Sequence, residues 1–238
     1  MKLDFHLSSG QKNSDKSVNL KIDLHCHTHY SIDSIIKPRE LAAKAKKASI
    51  VPAISDHNTL AAHKELHALG MRFIPSEEIR TIEGDLIGLY LQEVIPKKTP
   101  FLEALDMIKE QGALSYLPHM FDKTRHGVAY HQLANKVDII EAFNARCPLQ
   151  KYNDDAIHFA KKHKKLIAAG SDSHFLFEFG RTYFEVSAEF EDIKDNPKAL
   201  LRALKSVKIH AKKAPLFVRG STLVVKFAKR FFAGLFPR

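Results

Sequence analysis

The sequence predicts an α/β fold in which a parallel sheet closes into a barrel. Two observations support this prediction. Short apolar runs alternate with longer segments of helical periodicity. The chain has 238 residues, enough for one large domain that contains many such units. Regular alternation of strand and helix favours parallel strands, and this number of units favours a barrel over an open sheet.

The predicted elements follow one another from residue 20 to residue 205. Pro38 suits the first turn of one helix, and Gly70 and Gly112 follow the ends of two others. One apolar run follows Gly84-Asp85 and is expected to pair with the preceding segment as a hairpin. The predicted strands are Leu20–Cys26, Ile50–Ile54, Arg72–Pro75, Leu86–Leu91, Ala113–Leu117, Val137–Phe143 and Leu166–Ala169. The predicted helices are Pro38–Ala48, Thr59–Leu69, Pro100–Gln111, Leu149–Lys164 and Pro197–Lys205.

Charge is unevenly distributed along the chain. There are 37 Lys and Arg against 27 Asp and Glu, a formal net charge of +10. Residues 196–238 contain 11 of the basic residues and no acidic residue. The composition, 45% hydrophobic and 27% charged, is that of a globular protein and excludes a disordered chain. Two cysteines cannot build a disulfide framework.

Three parts of the chain are distinguished: a polar N-terminal extension (1–19), a barrel domain (20–214) and a basic amphipathic tail (215–238). The first twenty residues lack the apolar stretch of a signal peptide. The sequence also contains no run of about 18 apolar residues, so no transmembrane helix is expected. We therefore expect a cytoplasmic protein, with peripheral membrane association as an alternative.

The tail is predicted to form a helix with one apolar face. Its cations fall on the other side, and its apolar positions are Val224, Phe227, Ala228, Phe231 and Leu235. Three partners suit such a helix. The apolar stripe could pack on the barrel or on a second subunit, the helix could lie on an anionic membrane surface, or its cations could contact nucleic acid.

Candidate metal ligands follow the C-terminal ends of the predicted strands. His25 and His27 lie two residues apart on a strand and so share one face, where two imidazoles can converge on an ion. In a barrel of alternating strands and helices, the C-terminal ends of the strands form the face that carries the active site. Further ligand-type residues at such ends are His57, Glu78, His119, Asn144, Asp172 and His174.

The chemistry of this ligand set indicates a catalytic metal centre. A mixture of histidine and carboxylate, without a cage of thiolates, suits zinc, manganese or iron at an open site. The ligands are too many for one tetrahedral ion. They predict two or three adjacent divalent ions, an arrangement that suits displacement at phosphorus.

These motifs, in this order, resemble the PHP family, whose name stands for polymerase and histidinol phosphatase. The resemblance covers roughly residues 20–187 and implies a distorted (β/α)7 TIM-like barrel, a trinuclear metal centre and phosphoesterase activity. The motifs that carry it are His25-x-His27, Asp56-His57, Glu78 within Ile-Pro-Ser-Glu-Glu-Ile, Pro118-His119, Glu141-Ala-Phe-Asn144 and Gly170-Ser-Asp172-Ser-His174.

The resemblance also implies how the ligands are shared among the ions. Two positions depart from the family pattern. Ile32 intervenes between the serine and Asp33, and Asn144 stands where other members have His or Cys, which predicts a second site that is weaker or completed by water. One ion would be held by His25, His27, Glu78 and Asp172, a second by Glu78, His119 and the Asn144 region, and a third by Asp33, His57 and His174.

We therefore expect a hydrolase that cleaves a phosphate ester by attack of a metal-activated hydroxide on phosphorus. His57 or His174 would assist the departing alkoxide, and Arg181 or Arg146 would bind the phosphate in a bidentate manner. The expected partner is a small phosphorylated substrate, such as a phosphomonoester or nucleotide, or a nucleic-acid end.

Two alternatives remain open at this point. An amidohydrolase barrel also opens with a His-x-His strand, but its chemistry needs a bridging lysine where this chain has Glu78. The other alternative is a non-catalytic metal-holding module that binds nucleic acid through the basic tail.

Overall fold

A curved ten-stranded sheet organises the part of the chain that this computed structural model describes, residues 2–4, 19–128, 130–215 and 217–235. Most of the predicted N-terminal extension therefore lies outside the described residues. The strands are β1 (Lys2–Asp4), β2 (Asn19–Cys26), β3 (Ile50–His57), β4 (Ile74–Arg80), β5 (Asp85–Leu89), β6 (Leu114–Leu117), β7 (Ile139–Asn144), β8 (Leu166–Gly170), β9 (Tyr183–Ser187) and β10 (Lys208–His210).

The strand pairing makes the sheet a nearly closed barrel. Its order is β1-β10-β9-β2-β3-β4-β5-β6-β7-β8. Strands β2, β3 and β4 are parallel neighbours, as are β6, β7 and β8, while β5 runs antiparallel between β4 and β6. Beyond β8, Ser173 forms a bridge with Cys26 at the end of β2, which brings the two ends of the wall together.

The structure confirms the predicted α/β barrel and the β4–β5 hairpin. The strand count differs from seven, because the short strands β9, β10 and β1 extend the sheet in antiparallel fashion beyond β2. Strand β4 also begins and ends later than predicted, at Ile74–Arg80. The prediction ended before Glu77 and Glu78 because two adjacent charged residues are not expected in an apolar run. Both are nevertheless buried within the strand.

Helices pack on the outside of the barrel. Helix α1 places Leu41 and Ala45, one turn apart, in a buried cluster with Ile54 of β3. Helix α5 buries Ala156, Phe159 and Ala160 against the main core. The helices are α1 (Pro38–Ala48), α2 (Ala62–Ala68), α3 (Phe101–Glu110), α4 (His131–Ala134), α5 (Gln150–Lys162), α6 (Phe190–Ile193), α7 (Pro197–Ala203) and α8 (Phe217–Leu235), with a 3₁₀ turn at Leu204–Ser206.

The C-terminal helix α8 leaves two residues of its predicted apolar stripe largely in solvent. Val224 and Phe227 are 70% and 74% exposed, so they do not pack on the barrel, and the partner of the stripe stays a prediction. The side chain of Leu235, also part of the predicted stripe, lies outside the described residues. Within the described ranges, no helix is both long and apolar enough to cross a membrane.

Candidate metal centre

The predicted ligands converge at the C-terminal end of the barrel wall. Three of them lie within strands, His25 in β2, His57 at the end of β3 and Glu78 in β4. His27 and Asp33 follow β2, His119 follows β6, and Asp172 and His174 follow β8. All are buried except Asp33 and His57, whose side chains are partly exposed. The ligand-type residues predicted at the ends of strands therefore lie close together in the structure, although they are far apart in the chain.

His25 presents its Nε2 atom to the centre of this cluster. Its Nδ1 lies 3.0 Å from Oε1 of Glu141, a carboxylate that can only accept when ionised. Nδ1 is therefore assigned as the donor of this hydrogen bond, and Nε2 faces the other ligand groups. Gly170 lies against the Cβ of His25 and Oε1 of Glu141, where a side chain would collide with both. This pairing of a carboxylate with a histidine orients the ring of a metal ligand.

His27 is oriented in the same way by a serine. Ser31 donates its hydroxyl proton to Oδ1 of Asp56 at 2.6 Å, so its oxygen accepts from Nδ1 of His27 at 3.1 Å. The Nε2 atoms of His27 and His25 then face each other at 3.1 Å, where both could coordinate one ion.

Glu78 connects all the ligand groups. Its Oε2 lies 3.3 Å from Nε2 of His27, 3.4 Å from Nε2 of His25 and 3.1 Å from Nδ1 of His57. Its other oxygen, Oε1, lies 3.1 Å from Nε2 of His119. Both carboxylate oxygens thus face different nitrogens, as expected for a bridging ligand. The neighbouring Glu77 points away and accepts a hydrogen bond from the backbone N–H of Ile95 at 2.9 Å.

The ligand atoms form three groups, of which the first and third share His27, each within 4.8 Å: His25 with His27 and Asp172; Glu78 with Asp85 and His119; and His27 with His57 and His174. Asp33 belongs beside the third group, with Oδ1 3.3 Å from Nε2 of His174 and Oδ2 3.5 Å from Nε2 of His57. The Ile32 insertion therefore leaves Asp33 within reach of the ligand set.

Asp85 takes the place beside His119 that the sequence assigned to the Asn144 region. Its Oδ2 lies 4.0 Å from Nε2 of His119. Asn144 instead uses Nδ2 to donate to Oε2 of Glu141 at 2.9 Å and Oδ2 of Asp172 at 3.1 Å, and its Oδ1 accepts from Arg125. Both polar atoms of Asn144 thus contact side chains around the ligand groups, and its expected role as a ligand stays a prediction.

Strand direction explains why sequence patterns could not find Asp85. Strand β5 is antiparallel to β4, so its first residue, Asp85, lies at the same end of the barrel as the C-terminal residues of β4. A search restricted to the ends of strands misses it. The antiparallel hairpin was predicted, and its direction was the signal that could have pointed to Asp85.

The spacing of the ligand atoms fits bound divalent ions. Two atoms bound to zinc at about 2.0–2.1 Å in a tetrahedron lie about 3.3–3.4 Å apart. The separations around Asp172 and Glu78 fall near this value, with Oδ1 of Asp172 3.6 Å from Nε2 of His25 and 3.4 Å from Nε2 of His27. The buried Oδ1 of Asp33 also has no hydrogen-bond partner among the described residues. Donor type, spacing and the facing Nε2 atoms all suit cations.

Two carboxylates of the cluster, Asp172 and Glu78, are held ionised. Burial alone would raise the pKa of Asp172, but the Arg125 guanidinium and His25 outweigh it and hold that pKa well below its usual range. For Glu78, His57 and His25 likewise overcome the effect of burial and hold its pKa well below the usual value. Both side chains therefore present full negative charge to the centre at neutral pH.

Backbone strain accompanies two of the ligands. Asp172 and His119 have φ angles of 52° and 30°, in the left-handed region that side chains other than glycine rarely adopt. The N–H of Asp172 donates to the carbonyl of His25 at 2.7 Å, and the N–H of His119 donates to Oε2 of Glu141 at 2.7 Å. These hydrogen bonds hold the strained turns in place, a feature typical of functional sites.

Two arginines singled out in the sequence have different surroundings. Arg146 lies in the wall of the cavity above the ligands, where its Nε is 3.1 Å from Oε1 of Glu178. Arg181 is not among the residues that line this cavity, and its Nη2 donates to the carbonyl of Lys213 at 3.4 Å. The structure brings Arg146 to the site but not Arg181. Arg125, which no sequence motif marked, lies beside Asp172.

Family models match the region of the chain that contains the ligands, and they indicate the family that the sequence motifs resemble. The family model for the PHP domain matches residues 23–167, and that for a PHP-associated region matches residues 150–209. An uncharacterized protein of Methanocaldococcus jannaschii is 39% identical over 197 residues, 78% of this chain and 79% of that protein. A 5′-3′ exoribonuclease of Haemophilus influenzae is 33% identical over 103 residues, 40% of this chain and 37% of that enzyme.

A solved structure shares the fold. It is a two-domain protein of Bacteroides vulgatus that contains a predicted PHP-like metal-dependent phosphoesterase. The TM-score is 0.64 at 16% sequence identity, and the match covers 93% of this chain and 75% of that chain.

Proposed function

We propose that this chain, which belongs to the PHP domain family, hydrolyses phosphate esters with the help of two or three bound divalent metal ions. The family and the three ligand groups support a metal-dependent hydrolase. The single observation that carries the proposal of phosphate-ester hydrolysis is the position of Glu78, whose two oxygens face nitrogens of different ligand groups.

The residues that would hold the ions are those of the three groups together with Asp33. Bound there, the ions would neutralise charge on the phosphoryl oxygens and lower the pKa of a water molecule to about 7. The chain's own contribution is to fix the ligands. Glu141 orients His25, Ser31 orients His27, and Arg125 orients Asp172.

His57 and His174 keep their predicted ligand roles in this proposal but not their predicted catalytic role. Nδ1 of His174 lies 2.8 Å from the carbonyl of Asp172, and its Nε2 faces Asp33. The nitrogens of His57 face Glu78 and Asp33. Neither ring keeps a free nitrogen for a leaving group, so we assign proton transfer to water.

The cavity above the ligands suits a phosphorylated substrate. It has a volume of about 770 Å³ and contains Arg125 and Arg146 in its wall. This volume lies in the range of cavities that hold small organic molecules, about 300–1,000 Å³. We propose a phosphorylated small molecule or a nucleic-acid end as substrate. The nucleic-acid end is included because the chain is similar to an exoribonuclease.

The test begins with full-length protein stripped by a chelator and reloaded separately with zinc, manganese or iron(II). Elemental analysis gives the metal content, and release of nitrophenol from p-nitrophenyl phosphate and bis(p-nitrophenyl) phosphate gives activity. A panel of nucleotides, sugar phosphates and short RNA then extends the search. We expect metal-dependent phosphate release from at least one class of ester.

Two outcomes would contradict the proposal. Full metal loading with no hydrolysis of any phosphate ester would favour the metal-holding module. Hydrolysis of amide or lactone substrates alone would favour the amidohydrolase alternative, against which the carboxylate of Glu78 in the bridging position already counts.

A further inference from the structure

The C-terminal helix α8 forms part of the wall of the metal-site cavity. Arg219, Thr222 and Lys226 of this helix line the same cavity as Asp33, Glu78 and other ligands. These three residues are spaced at i, i+3 and i+7, which places them on one face of a helix. The tail that the sequence set apart as residues 215–238 therefore contributes a surface to the candidate active site.

Polar contacts near both ends hold α8 across the cavity. Near its start, Arg146 donates to the carbonyl of Val218 at 2.8 Å, and Arg219 pairs with Asp122 at 3.7 Å. Toward its end, Nζ of Lys229 donates to the carbonyls of His29, Ser31 and Ser34 at 2.7, 2.8 and 2.6 Å. The helix therefore connects the loop after β6 with the loop after β2, on either side of the ligands.

The cations that line the cavity differ in whether they are paired. Arg80 pairs with Asp85, Arg125 with Asp172 and Asp122, Arg146 with Glu178, and Arg219 with Asp122. Lys226 has neither a hydrogen bond nor an ion pair with any described residue. An ammonium group in the cavity wall with no protein anion beside it is available to a ligand anion.

We propose that Lys226 forms a second anion subsite, which binds a phosphate or carboxylate group of the substrate other than the ester phosphate. This inference rests on the proposed function, since the metal ions would occupy the first anion site. It narrows the substrate class to esters that carry at least two anionic groups. The size of the cavity, about 770 Å³, leaves room for such a molecule beside the ligands.

The experiment measures binding of phosphonates, which cannot be hydrolysed. Titration calorimetry at low ionic strength compares 3-phosphonopropionate and 4-phosphonobutyrate with propylphosphonate and butylphosphonate on metal-loaded, full-length protein. We expect the carboxylated probe of suitable length to bind about three- to tenfold more tightly than its alkyl partner, as one added ion pair predicts. Lys226→Ala should abolish this advantage, and Lys226→Arg should keep most of it.

Arg230 supplies the matched control, because it is an exposed cation of the same helix that does not line the cavity. Arg230→Ala should keep the advantage, and circular dichroism melting should show that every variant folds. An equal advantage in Lys226→Ala and wild type would overturn the inference, as would wild type binding both probes of each pair equally. Because these probes need no turnover, failure of the enzyme to cleave phosphate esters is a separate result.

Discussion

Arg125 holds the carboxylate of Asp172 by one oxygen and leaves the other for the metal centre. Its Nη1 donates to Oδ2 of Asp172, while Oδ1 lies 3.4 Å from Nε2 of His27. The same guanidinium donates to Oδ1 of Asn144 at 3.0 Å and pairs with Asp122 at 3.1 Å. A loop residue thus determines which oxygen of a ligand faces the ions.

Arg125→Ala should weaken metal binding and activity, because Asp172 loses the group that orients and ionises it. Loss of such a supporting contact typically costs about 10- to 100-fold in metal affinity or activity. Elemental analysis after dialysis against a weak chelator, together with kcat/KM for an aryl phosphate, checks this. Arg39→Ala, on the exposed side of α1, is the control and should behave as wild type. Unchanged metal retention in Arg125→Ala would show that Asp172 needs no such partner.

The adjacent glutamates of β4 allow a matched comparison. Glu78→Gln removes the charge that faces His57 and His119, so we expect loss of bound metal and of turnover to below about one hundredth of wild type. Glu77→Gln makes the same substitution one residue away, where the side chain contacts Ile95 and not the ligands. This variant should retain both metal and turnover. If the two variants behaved alike, Glu78 would not be the bridging ligand.

The strand-end pattern predicted the ligands that the parallel strands carry. His25 and His27 could be found because a strand has a period of two, and Glu78 because the resemblance selected it over Glu77. Asp85 could not be found in this way, since it begins an antiparallel strand. Lys226 depended on where α8 packs, which no local pattern in the chain encodes.

Loop residues escaped prediction for a related reason. Arg125 acts through contacts with Asp172 and Asn144, which lie 47 and 19 residues away in sequence. An arginine in a polar loop has no periodic neighbour that would indicate its partner. Conversely, Arg181 follows the last ligand motif closely in sequence, yet its guanidinium contacts the carbonyl of Lys213.

Glu77 should make stability depend on pH. Burial raises its pKa to about 7 from 4.5. Since the folded state holds the proton more tightly than the unfolded state, the contribution to stability is present below pH 4.5 and is lost as the pH rises through 7. Glu77→Gln keeps an acceptor for Ile95 and cannot ionise. Urea unfolding should therefore show it about 1–3 kcal/mol more stable than wild type at pH 8, and little different near pH 4.5. A constant difference at both pH values would contradict this assignment.

Gly170 should be intolerant of a side chain. A Cβ at this position would overlap the Cβ of His25 and Oε1 of Glu141, both of which are buried. Gly170→Ala should lower stability by about 1–3 kcal/mol, the usual range for overpacking, and reduce metal retention by displacing His25. Thermal melting and elemental analysis measure the two effects. Gly220→Ala, in α8 with nothing within 4 Å of the added group, is the control and should not lower the melting temperature. A Gly170→Ala protein with normal metal content would show that the Glu141–His25 pair tolerates displacement.

The outer face of α8 should bind an anionic membrane surface. Val224 and Phe227 are 70% and 74% exposed. Phe217 is also exposed, and its ring centroid lies 6.2 Å from that of Phe177. Residues 196–238 hold 11 basic and no acidic residues, so charge complementarity favours an anionic bilayer as partner. Full-length protein should sediment at low salt with vesicles of phosphatidylglycerol and phosphatidylcholine, but not with phosphatidylcholine alone. Phe227→Glu should abolish sedimentation, whereas Leu102→Glu, at an exposed apolar position on α3, should not. Absence of sedimentation, with dimers in ultracentrifugation that Phe227→Glu dissociates, would assign this face to a second copy of the chain instead.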